Sequence, residues 1–252
     1  MSWRSHGTST NDSLIDALEK NNLIASRDVV GKAMRKVDRK CYVESADANE
    51  AYRDHPLQIG SNATISAPHM HAMCLELSKE YVVVNDDDDD DDASGGYGNG
   101  RVLDVGSGSG YLVACFAEMM MQQQNVSSSS KVVGIEHIQS LVDQSIENLK
   151  QDDKEELVRS GLITITKGDG RLGYEAFAPY ALIHVGAAAP EVPEALLSQL
   201  ASPGRLIIPV GKEDQSQSLM VIDKNEKGEI KYKDEMGVVY VPLTDEKHQL
   251  ER

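Results

Sequence analysis

The sequence predicts a doubly wound α/β fold with a mostly parallel sheet and an amino-terminal helical lobe. Short apolar segments alternate with helix-like segments from residue 101 onward, and glycine-bearing turns connect them. Before residue 82 the apolar positions mostly follow helical spacing, which is typical of packing helices. The 252 residues are enough for one large domain with a substantial core, whereas two full domains would be cramped.

The expected elements follow from periodicity, capping residues and turn signals. Helices are expected at 11–21, capped by Asn11 or Asp12, and at 26–37 or 28–37, capped by Ser26 or Asp28. Further helices are expected from Ser66 onward and at 111–121, 138–149 and 193–200, with a charged loop after 149. Strands of the parallel sheet are expected at 102–105, 131–136, 162–167, 181–185 and 205–210. Two antiparallel strands, at 218–223 and 238–241 on either side of a turn at 224–228, are expected to close the sheet.

The stretch from residue 101 to 117, RVLDVGSGSGYLVACFA, predicts a buried strand, a tight turn and a helix. A turn this rich in glycine lets a ligand approach the backbone, and the amino end of the next helix presents free N–H groups. The third glycine comes one residue too early for a dinucleotide fingerprint, and no Lys-Ser or Lys-Thr pair follows. Asp104 would repel phosphates but suits an ammonium or sulfonium group, as in S-adenosylmethionine. The alternative is a glycine turn that serves only tight packing.

Two acidic residues follow later predicted strands. Glu136 ends the strand KVVGIE, where a carboxylate in a nucleotide-binding α/β sheet can accept hydrogen bonds from two ribose hydroxyls. The alternative role for Glu136 is a helix cap. Asp169, after the strand LITITK, would either accept a hydrogen bond from an adenine amino group or close a turn.

The segment from residue 52 to 71, YRDHPLQIGSNATISAPHMH, has no clean period, which suits a loop that approaches a site and then starts a helix. Ser66 stands at the start of that helix. Its hydroxyl would cap a backbone amide, hold a carboxylate beside unpaired N–H groups, or do both. His69 and His71 lie two residues apart and do not share a helix face, so no metal site is expected here.

The composition narrows the partners and the compartment. The net charge of -16 includes seven charges from Asp86–Asp92, and no basic stripe is present, so nucleic acid is not an expected partner. The same run, with the glycines after it, predicts an unpacked linker at 85–100 that lacks the alternation of a calcium-binding loop. The apolar runs are too short for a membrane span. Three separated cysteines, without a C-x-x-C pair or a signal peptide, favour a reduced, cytosolic compartment.

The sequence resembles the protein-L-isoaspartate (D-aspartate) O-methyltransferases in six segments: ATISAPHMHA, LDVGSGSG, KGDGRLGY, IHVGAAAPEVPEAL, GRLIIPVG and YVPLTD. The resemblance covers nearly the whole chain, except the aspartate run and the Gln/Ser insertion that follows residue 121. ATISAPHMHA is the discriminating motif, because the glycine turn is shared by the wider family of Rossmann-like, S-adenosylmethionine-dependent methyltransferases.

The resemblance implies that Ser66 is the active-site serine, and that residues 63–66 and His71 line a pocket for cofactor and substrate. It also implies that Thr244 and Gln249 close over the cofactor. With Asp104 before the glycine turn and Gly108 within it, the expected cofactor contacts are Ala63, Thr64, Ile65, Ser66, His71, Asp104, Gly106, Gly108, Glu136, His137, Asp169, Gly170, Thr244 and Gln249. The expected organisation is one domain, 1–252, with a helical lobe and substrate loop at 1–84, the linker at 85–100 and the cofactor-binding core at 101–252.

The implied reaction transfers a methyl group from S-adenosyl-L-methionine to the free α-carboxylate of an L-isoaspartyl residue, or of a D-aspartyl residue where such sites are accepted. S-adenosyl-L-homocysteine is the product, and the methyl ester closes to a succinimide that returns in part to aspartate. The expected substrates are damaged proteins and peptides, and the expected enzyme is a monomer without a metal. Two other classes remain open: a nicotinamide-dependent dehydrogenase, which would share the sheet and Glu136, and a non-catalytic interaction protein that keeps only the fold.

Overall fold

The computed structural model describes residues 8–25, 28–44, 49–82, 100–123 and 126–251. Its helices are α1 (Asn11–Lys20), α2 (Val29–Lys36), α3 (Pro68–Val82), α4 (Tyr111–Met120), α5 (Gln139–Gln151), α6 (Glu155–Arg159), α7 (Glu194–Ser198) and α8 (Glu246–Leu250). Its strands are β1 (Leu57–Gln58), β2 (Thr64–Ile65), β3 (Arg101–Val105), β4 (Lys131–Glu136), β5 (Ile163–Lys167), β6 (Tyr180–Val185), β7 (Leu200–Val210), β8 (Gln217–Lys224) and β9 (Ile230–Val238).

A seven-stranded sheet in the order β5-β4-β3-β6-β7-β8-β9 forms the centre of the described chain. The strands from β5 to β7 run parallel, and β8 and β9 are antiparallel to their neighbours. The chain runs outward from β3 through β4 to β5, and then returns to the other side of β3 at β6. The strand order therefore reverses at β3, and α/β sheets bind their ligands beyond the carboxyl ends of the strands at such a point. The predicted doubly wound, mostly parallel sheet is confirmed.

The central strands are buried on both faces, because successive side chains of a strand point in opposite directions. Val102 packs in a core formed with the helical lobe, whereas Leu103, the next residue, packs in a second core on the opposite face. Every residue of α4 is buried, since this helix lies between the sheet and helices α2 and α3. The helical lobe is thereby fixed against the sheet, and with it the loop that carries Ser66.

The N-cap of α1 is Thr10, and the expected caps Asn11 and Asp12 lie inside that helix. Thr10 and Ser13 form a reciprocal capping box at the start of α1. Asp28 caps α2, and its carboxylate accepts the backbone N–H of Val29 at 2.6 Å. Ser26, the other expected cap of α2, lies outside the described residues.

The predicted closing strand at 238–241 is wrong. The last strand is β9, which ends at Val238 where the predicted one began. As an edge strand β9 is mostly exposed, so its sequence IKYKDEMGV lacks the apolar alternation that identifies a half-buried strand. In the segment after Val238, Pro242 instead forms an isolated parallel bridge with Ala188, which follows β6.

Two further boundaries differ from prediction, and one prediction lies outside the described residues. The helix expected at 193–200 ends at Ser198, because Leu200 already pairs with Tyr180 in the sheet. The short helix α6 forms in a segment that we expected to be a charged loop. The predicted acidic linker falls outside the described residues, apart from Gly100.

Within the described residues, no helix combines the length and apolar composition needed to cross a membrane. The same residues contain no group of three or more His, Cys, Asp or Glu side chains placed to hold a metal ion. Cys41, Cys74 and Cys115 are free thiols.

Candidate active site

A cleft of about 530 Å³ opens at the carboxyl ends of the central strands. Of the predicted cofactor contacts, those that line it are Ala63, Thr64, Gly106, Gly108, Glu136, His137, Gly170, Thr244 and Gln249. The remaining wall consists of residues that were not among the predicted cofactor contacts, namely Ile59, Ile135, Gly186, Ala187, Val241, Pro242 and Leu243. No lysine or arginine belongs to this described wall, so it offers no side chain of the kind that pairs with a pyrophosphate.

Two glycines show why the turn between β3 and α4 requires this residue type. Gly106 has a φ of 71°, and a Cβ built on it would meet no atom within 4 Å, so bare backbone faces open space. Gly110 has a φ of 84°, and a Cβ there would lie 3.2 Å from the Cβ of Ser145 on α5. Gly106 thus exposes its backbone to the cleft, and Gly110 lets the start of α4 pack closely against α5.

Glu136 is held in place by two backbone amides. Its Oε2 accepts the N–H of Gly108 at 3.2 Å, and its Oε1 accepts the N–H of Ile138 at 3.0 Å. The residue is almost fully buried and lines the cleft. A carboxylate oxygen accepts about two hydrogen bonds, so each oxygen keeps acceptor capacity for a ligand hydroxyl. The bond to the N–H of Ile138 stabilises the start of α5. Glu136 can therefore cap this helix and still accept hydrogen bonds from a ribose.

Helix α8 closes one side of the cleft through Gln249. The ring Nε2 of His137 donates to Gln249 Oε1 at 2.7 Å, and Gln249 Nε2 donates to the carbonyl of Ser61 at 3.0 Å. Asn62 donates to the backbone carbonyl of Gln249 at 3.0 Å. The end of the chain is thereby tied to β4 and to the β1–β2 hairpin.

A second cavity, which we call the groove, adjoins the cleft and contains about 1520 Å³ of space open to solvent. Its walls are Pro56, Thr64, Ser66, Ala67, His69, Met70, Gly186, Ser216, Gln217, Met236, Gly237, Val238, Val239, Tyr240 and Val241. Thr64, Gly186 and Val241 line both the groove and the cleft. Two ligands, one in each cavity, would therefore meet across a shared wall.

Ser66 lies in the groove and is held from behind by a buried arginine. Arg39 has no exposed surface, and its Nη2 donates to the Ser66 carbonyl at 2.8 Å. Its Nη1 donates to His71 Nδ1 at 3.2 Å. Burial lowers the pKa of Arg39 to about 10 and the pKa of His71 well below its ordinary value. At neutral pH, Arg39 is therefore charged and His71 is a neutral acceptor.

The cap of α3 is Asp54 rather than Ser66. Asp54 Oδ1 accepts the backbone N–H of His69 in the first turn of that helix, at 2.9 Å. The helix begins at Pro68, one residue later than a Ser66 cap would require. The capping role expected of Ser66 thus falls to a carboxylate from the preceding loop.

Comparison with known proteins identifies the family. The family model for protein-L-isoaspartate(D-aspartate) O-methyltransferase matches residues 9–248. A protein-L-isoaspartate O-methyltransferase from Arabidopsis thaliana is 44% identical over 98% of this chain and 97% of its own length. One from Caenorhabditis elegans is 44% identical over 100% of both chains. The chain belongs to the protein-L-isoaspartate(D-aspartate) O-methyltransferase family.

A solved structure agrees with this assignment. A crystal structure from Plasmodium falciparum, described as a protein-L-isoaspartate O-methyltransferase in complex with S-adenosyl-L-homocysteine, superimposes with a TM-score of 0.78. It is 34% identical in sequence, and the match covers 94% of this chain and 99% of that one. The cofactor of the present protein, as a member of this family, is S-adenosyl-L-methionine.

The residues that line the cleft are chemically suited to the parts of S-adenosyl-L-methionine. The fixed carboxylate of Glu136 suits a ribose, and the side chains of Ile59, Ile135 and Leu243 give apolar surface suited to an adenine ring. A described wall without lysine or arginine suits a positively charged sulfonium better than a phosphate chain.

Five of the predicted cofactor contacts do not line the cleft. Ile65 is buried in the core. His71 packs against Tyr111, with the ring centroids 4.8 Å apart. The Asp169 side chain accepts bonds from the backbone and guanidinium of Arg171, so it has the turn-closing role that we weighed for it. Asp104 is the fourth. Ser66, predicted for both cofactor and catalysis, lines only the groove.

Asp104 is paired with a buried histidine that the sequence analysis did not single out. Nδ1 of His184 donates to Asp104 Oδ1 at 2.7 Å, and both side chains are only 3% exposed. Burial by itself would lower the pKa of His184, but interactions with Asp104 and Cys74 together outweigh it and raise the pKa to about 10. The pair ties β3 to β6 directly below the cleft. The charge of Asp104 is thus compensated inside the protein.

This pair makes stability depend on pH in the alkaline range. The unfolded chain loses the His184 proton near pH 6.5, whereas the folded protein keeps it up to about pH 10. The stabilisation is therefore complete below pH 6.5 and is lost as the pH approaches 10, by up to about 1.4 kcal/mol per pH unit. Guanidinium unfolding between pH 7 and 10 should show this decline for the wild type but not for His184→Gln. Equal slopes for the two proteins would contradict the assignment.

Gln217 is another residue that the sequence analysis missed. Its side-chain Nε2 donates to the Tyr240 carbonyl at 3.2 Å, and its Oε1 accepts the Tyr240 N–H at 2.7 Å. This buried amide therefore fixes the extended segment after β9 as one wall of the groove. The contact joins residues 23 positions apart, so no local sequence pattern indicates it.

Proposed function

We propose that the cleft holds S-adenosyl-L-methionine, that the groove holds a peptide with an isoaspartyl residue, and that methyl transfer occurs where the two cavities meet. The family assignment gives the reaction, in which the free α-carboxylate of the isoaspartyl residue receives the methyl group. The observation that carries the proposal is the shared wall of Thr64, Gly186 and Val241. Glu136 lines the cleft and Ser66 lines the groove, which supports the proposal.

The residues of the cleft bind and orient S-adenosyl-L-methionine. Glu136 would accept the two ribose hydroxyls, because its carboxylate is fixed by backbone amides and keeps acceptor capacity. The bare backbone at Gly106 allows the methionine part to approach closely. The bound cofactor supplies a methyl group activated by its sulfonium.

On the peptide side, the residues hold a carboxylate that needs no activation. An α-carboxylate is ionised at pH 7, so its attack on a methyl group requires no general base. Ser66 would donate a hydrogen bond to it, and the Arg39 bond behind Ser66 fixes the position of that donor. Burial raises the pKa of the neighbouring Tyr240, which interacts with Ser66 and keeps its phenol proton. Catalysis on this account consists of positioning and exclusion of water.

The contacts of Gln249 predict that it slows release of the cofactor product. Gln249→Ala removes the side-chain bonds to His137 and Ser61, each contributing about 1 kcal/mol. We expect S-adenosyl-L-homocysteine to dissociate about 5- to 30-fold faster, measured by stopped-flow displacement. Lys247→Ala, a change at an exposed position on the same helix, should leave the rate unchanged. An unchanged rate in Gln249→Ala would mean that α8 does not restrain the ligand.

We also propose that the enzyme works as a single domain, residues 1–252, and as a monomer. The helical lobe supplies Arg39 and the substrate loop supplies Ser66, while the core supplies Glu136, so one chain carries both cavities. The net charge of -16 disfavours nucleic acid and an anionic membrane surface as partners, and we propose protein and peptide substrates in the cytosol.

Calorimetry tests the two-cavity arrangement. S-adenosyl-L-homocysteine and an isoaspartyl peptide should bind at the same time, each with one site, and NAD should not bind. Mutual exclusion of the two ligands would show that they share one cavity and would overturn the proposal. Binding of NAD with no binding of S-adenosyl-L-homocysteine would favour a dehydrogenase instead.

A further inference from the structure

A histidine–carboxylate pair lies in the wall of the groove, close to Ser66. His69 is in the first turn of α3, and its side chain is 37% exposed. Its ring Nδ1 lies 2.9 and 2.8 Å from the two carboxylate oxygens of Asp54. Asp54 Oδ1 also accepts the backbone N–H of His69. The Asp54 side chain is only 6% exposed, so the carboxylate lies behind the wall while the imidazole is part of its surface.

These contacts determine which ring nitrogen is available to a ligand. A carboxylate only accepts, so Nδ1 of His69 carries the proton that is shared with Asp54. In the neutral ring, Nε2 then has a lone pair and acts as an acceptor. Because Asp54 binds both the backbone and the ring of His69, the plane of the imidazole is fixed, as in carboxylate–histidine pairs at metal sites. The groove therefore has an oriented acceptor next to the carboxylate-holding serine.

We propose that His69 Nε2 accepts a hydrogen bond from a backbone N–H of the bound peptide, which makes His69 a substrate-positioning residue. This inference rests on the proposed function, in which the groove holds the isoaspartyl peptide. Backbone N–H groups occur in every peptide, so a bond to one of them would hold the substrate whatever side chains flank the isoaspartyl residue. The side-chain carbonyl of Gln217, which also lines the groove, already accepts the Tyr240 N–H. His69 is thus an acceptor that remains available on this wall.

Peptide kinetics test the proposal. His69→Leu should raise the KM for an isoaspartyl peptide about 3- to 10-fold, the value of one neutral hydrogen bond, with the Kd of S-adenosyl-L-homocysteine within about twofold of wild type. His69→Gln, whose amide oxygen can reach the position of Nε2, should restore most of that loss. His55→Leu is the matched control, because His55 also pairs with a carboxylate, that of Glu50, but does not line the groove. Asp54 stays unchanged in all variants, so the start of α3 keeps its cap.

A set of peptides that carry one N-methylated amide each identifies the bond. At one position, N-methylation should raise the KM of the wild type several-fold and should have little further effect on His69→Leu. A KM for His69→Leu within twofold of wild type would overturn the proposal. So would an N-methylation penalty that is the same in both proteins at every position. A wild type that binds its cofactor but does not methylate any isoaspartyl peptide would overturn the proposed function itself, and the inference with it.

Discussion

Replacing Ser66 with alanine is expected to lower kcat/KM for an isoaspartyl peptide about 10- to 100-fold. A hydrogen bond to a charged group contributes about 1.5–3 kcal/mol, and a tenfold change corresponds to about 1.4 kcal/mol. Ser66 lines the groove and not the cleft, so the Kd of S-adenosyl-L-homocysteine should stay within about twofold. Steady-state transfer from labelled cofactor gives the first quantity, and calorimetry gives the second.

Ser216→Ala is the matched control, because Ser216 is also a serine in the groove wall but is exposed to solvent. We expect this variant to keep wild-type kinetics. If Ser66→Ala also retained kcat/KM within twofold, Ser66 would have no role beyond shaping the loop that Arg39 holds.

Replacing Glu136 with alanine is expected to weaken the binding of S-adenosyl-L-homocysteine about 10- to 100-fold. The change removes an acceptor for the ribose hydroxyls and also leaves the N–H groups of Gly108 and Ile138 without their partner. Turnover at saturating cofactor should fall less than affinity, because Glu136 does not line the groove. Calorimetry on the purified variant measures the affinity directly.

Two variants show whether this loss belongs to the ribose contact. Glu136→Gln keeps one acceptor oxygen, so its affinity should lie between those of the wild type and Glu136→Ala. Glu147→Ala removes an exposed carboxylate from α5, where it pairs only at the surface with Lys150, and should bind normally. An unchanged Kd in Glu136→Ala would remove the ribose assignment.

Local patterns were sufficient to predict the centre of the fold. The strand–glycine–helix stretch around Gly106 and the strand that ends at Glu136 are buried, regular and close in sequence, so periodicity identifies them. Both residues line the cleft, as expected. The edge strand β9 was misplaced because exposure on both faces removes the pattern on which such a prediction depends.

The contacts that support the site join residues far apart in the chain, and for that reason the sequence did not reveal them. Arg39 reaches the Ser66 carbonyl across 27 positions, and Asp104 reaches His184 across 80. The sequence showed that Asp104 precedes the glycine turn, and a ligand cation was a reasonable partner for it. A partner in a neighbouring strand becomes visible only when the strand order is known.

The most direct test of the account is methyl transfer from labelled S-adenosyl-L-methionine to a synthetic peptide with one isoaspartyl residue, beside the same peptide with normal aspartate. In the isoaspartyl peptide the free α-carboxylate can lie beside Ser66, whereas normal aspartate has its α-carboxyl group in the peptide bond. We expect transfer to the isoaspartyl peptide alone. Equal transfer to both peptides, or no transfer while the cofactor still binds, would contradict the account.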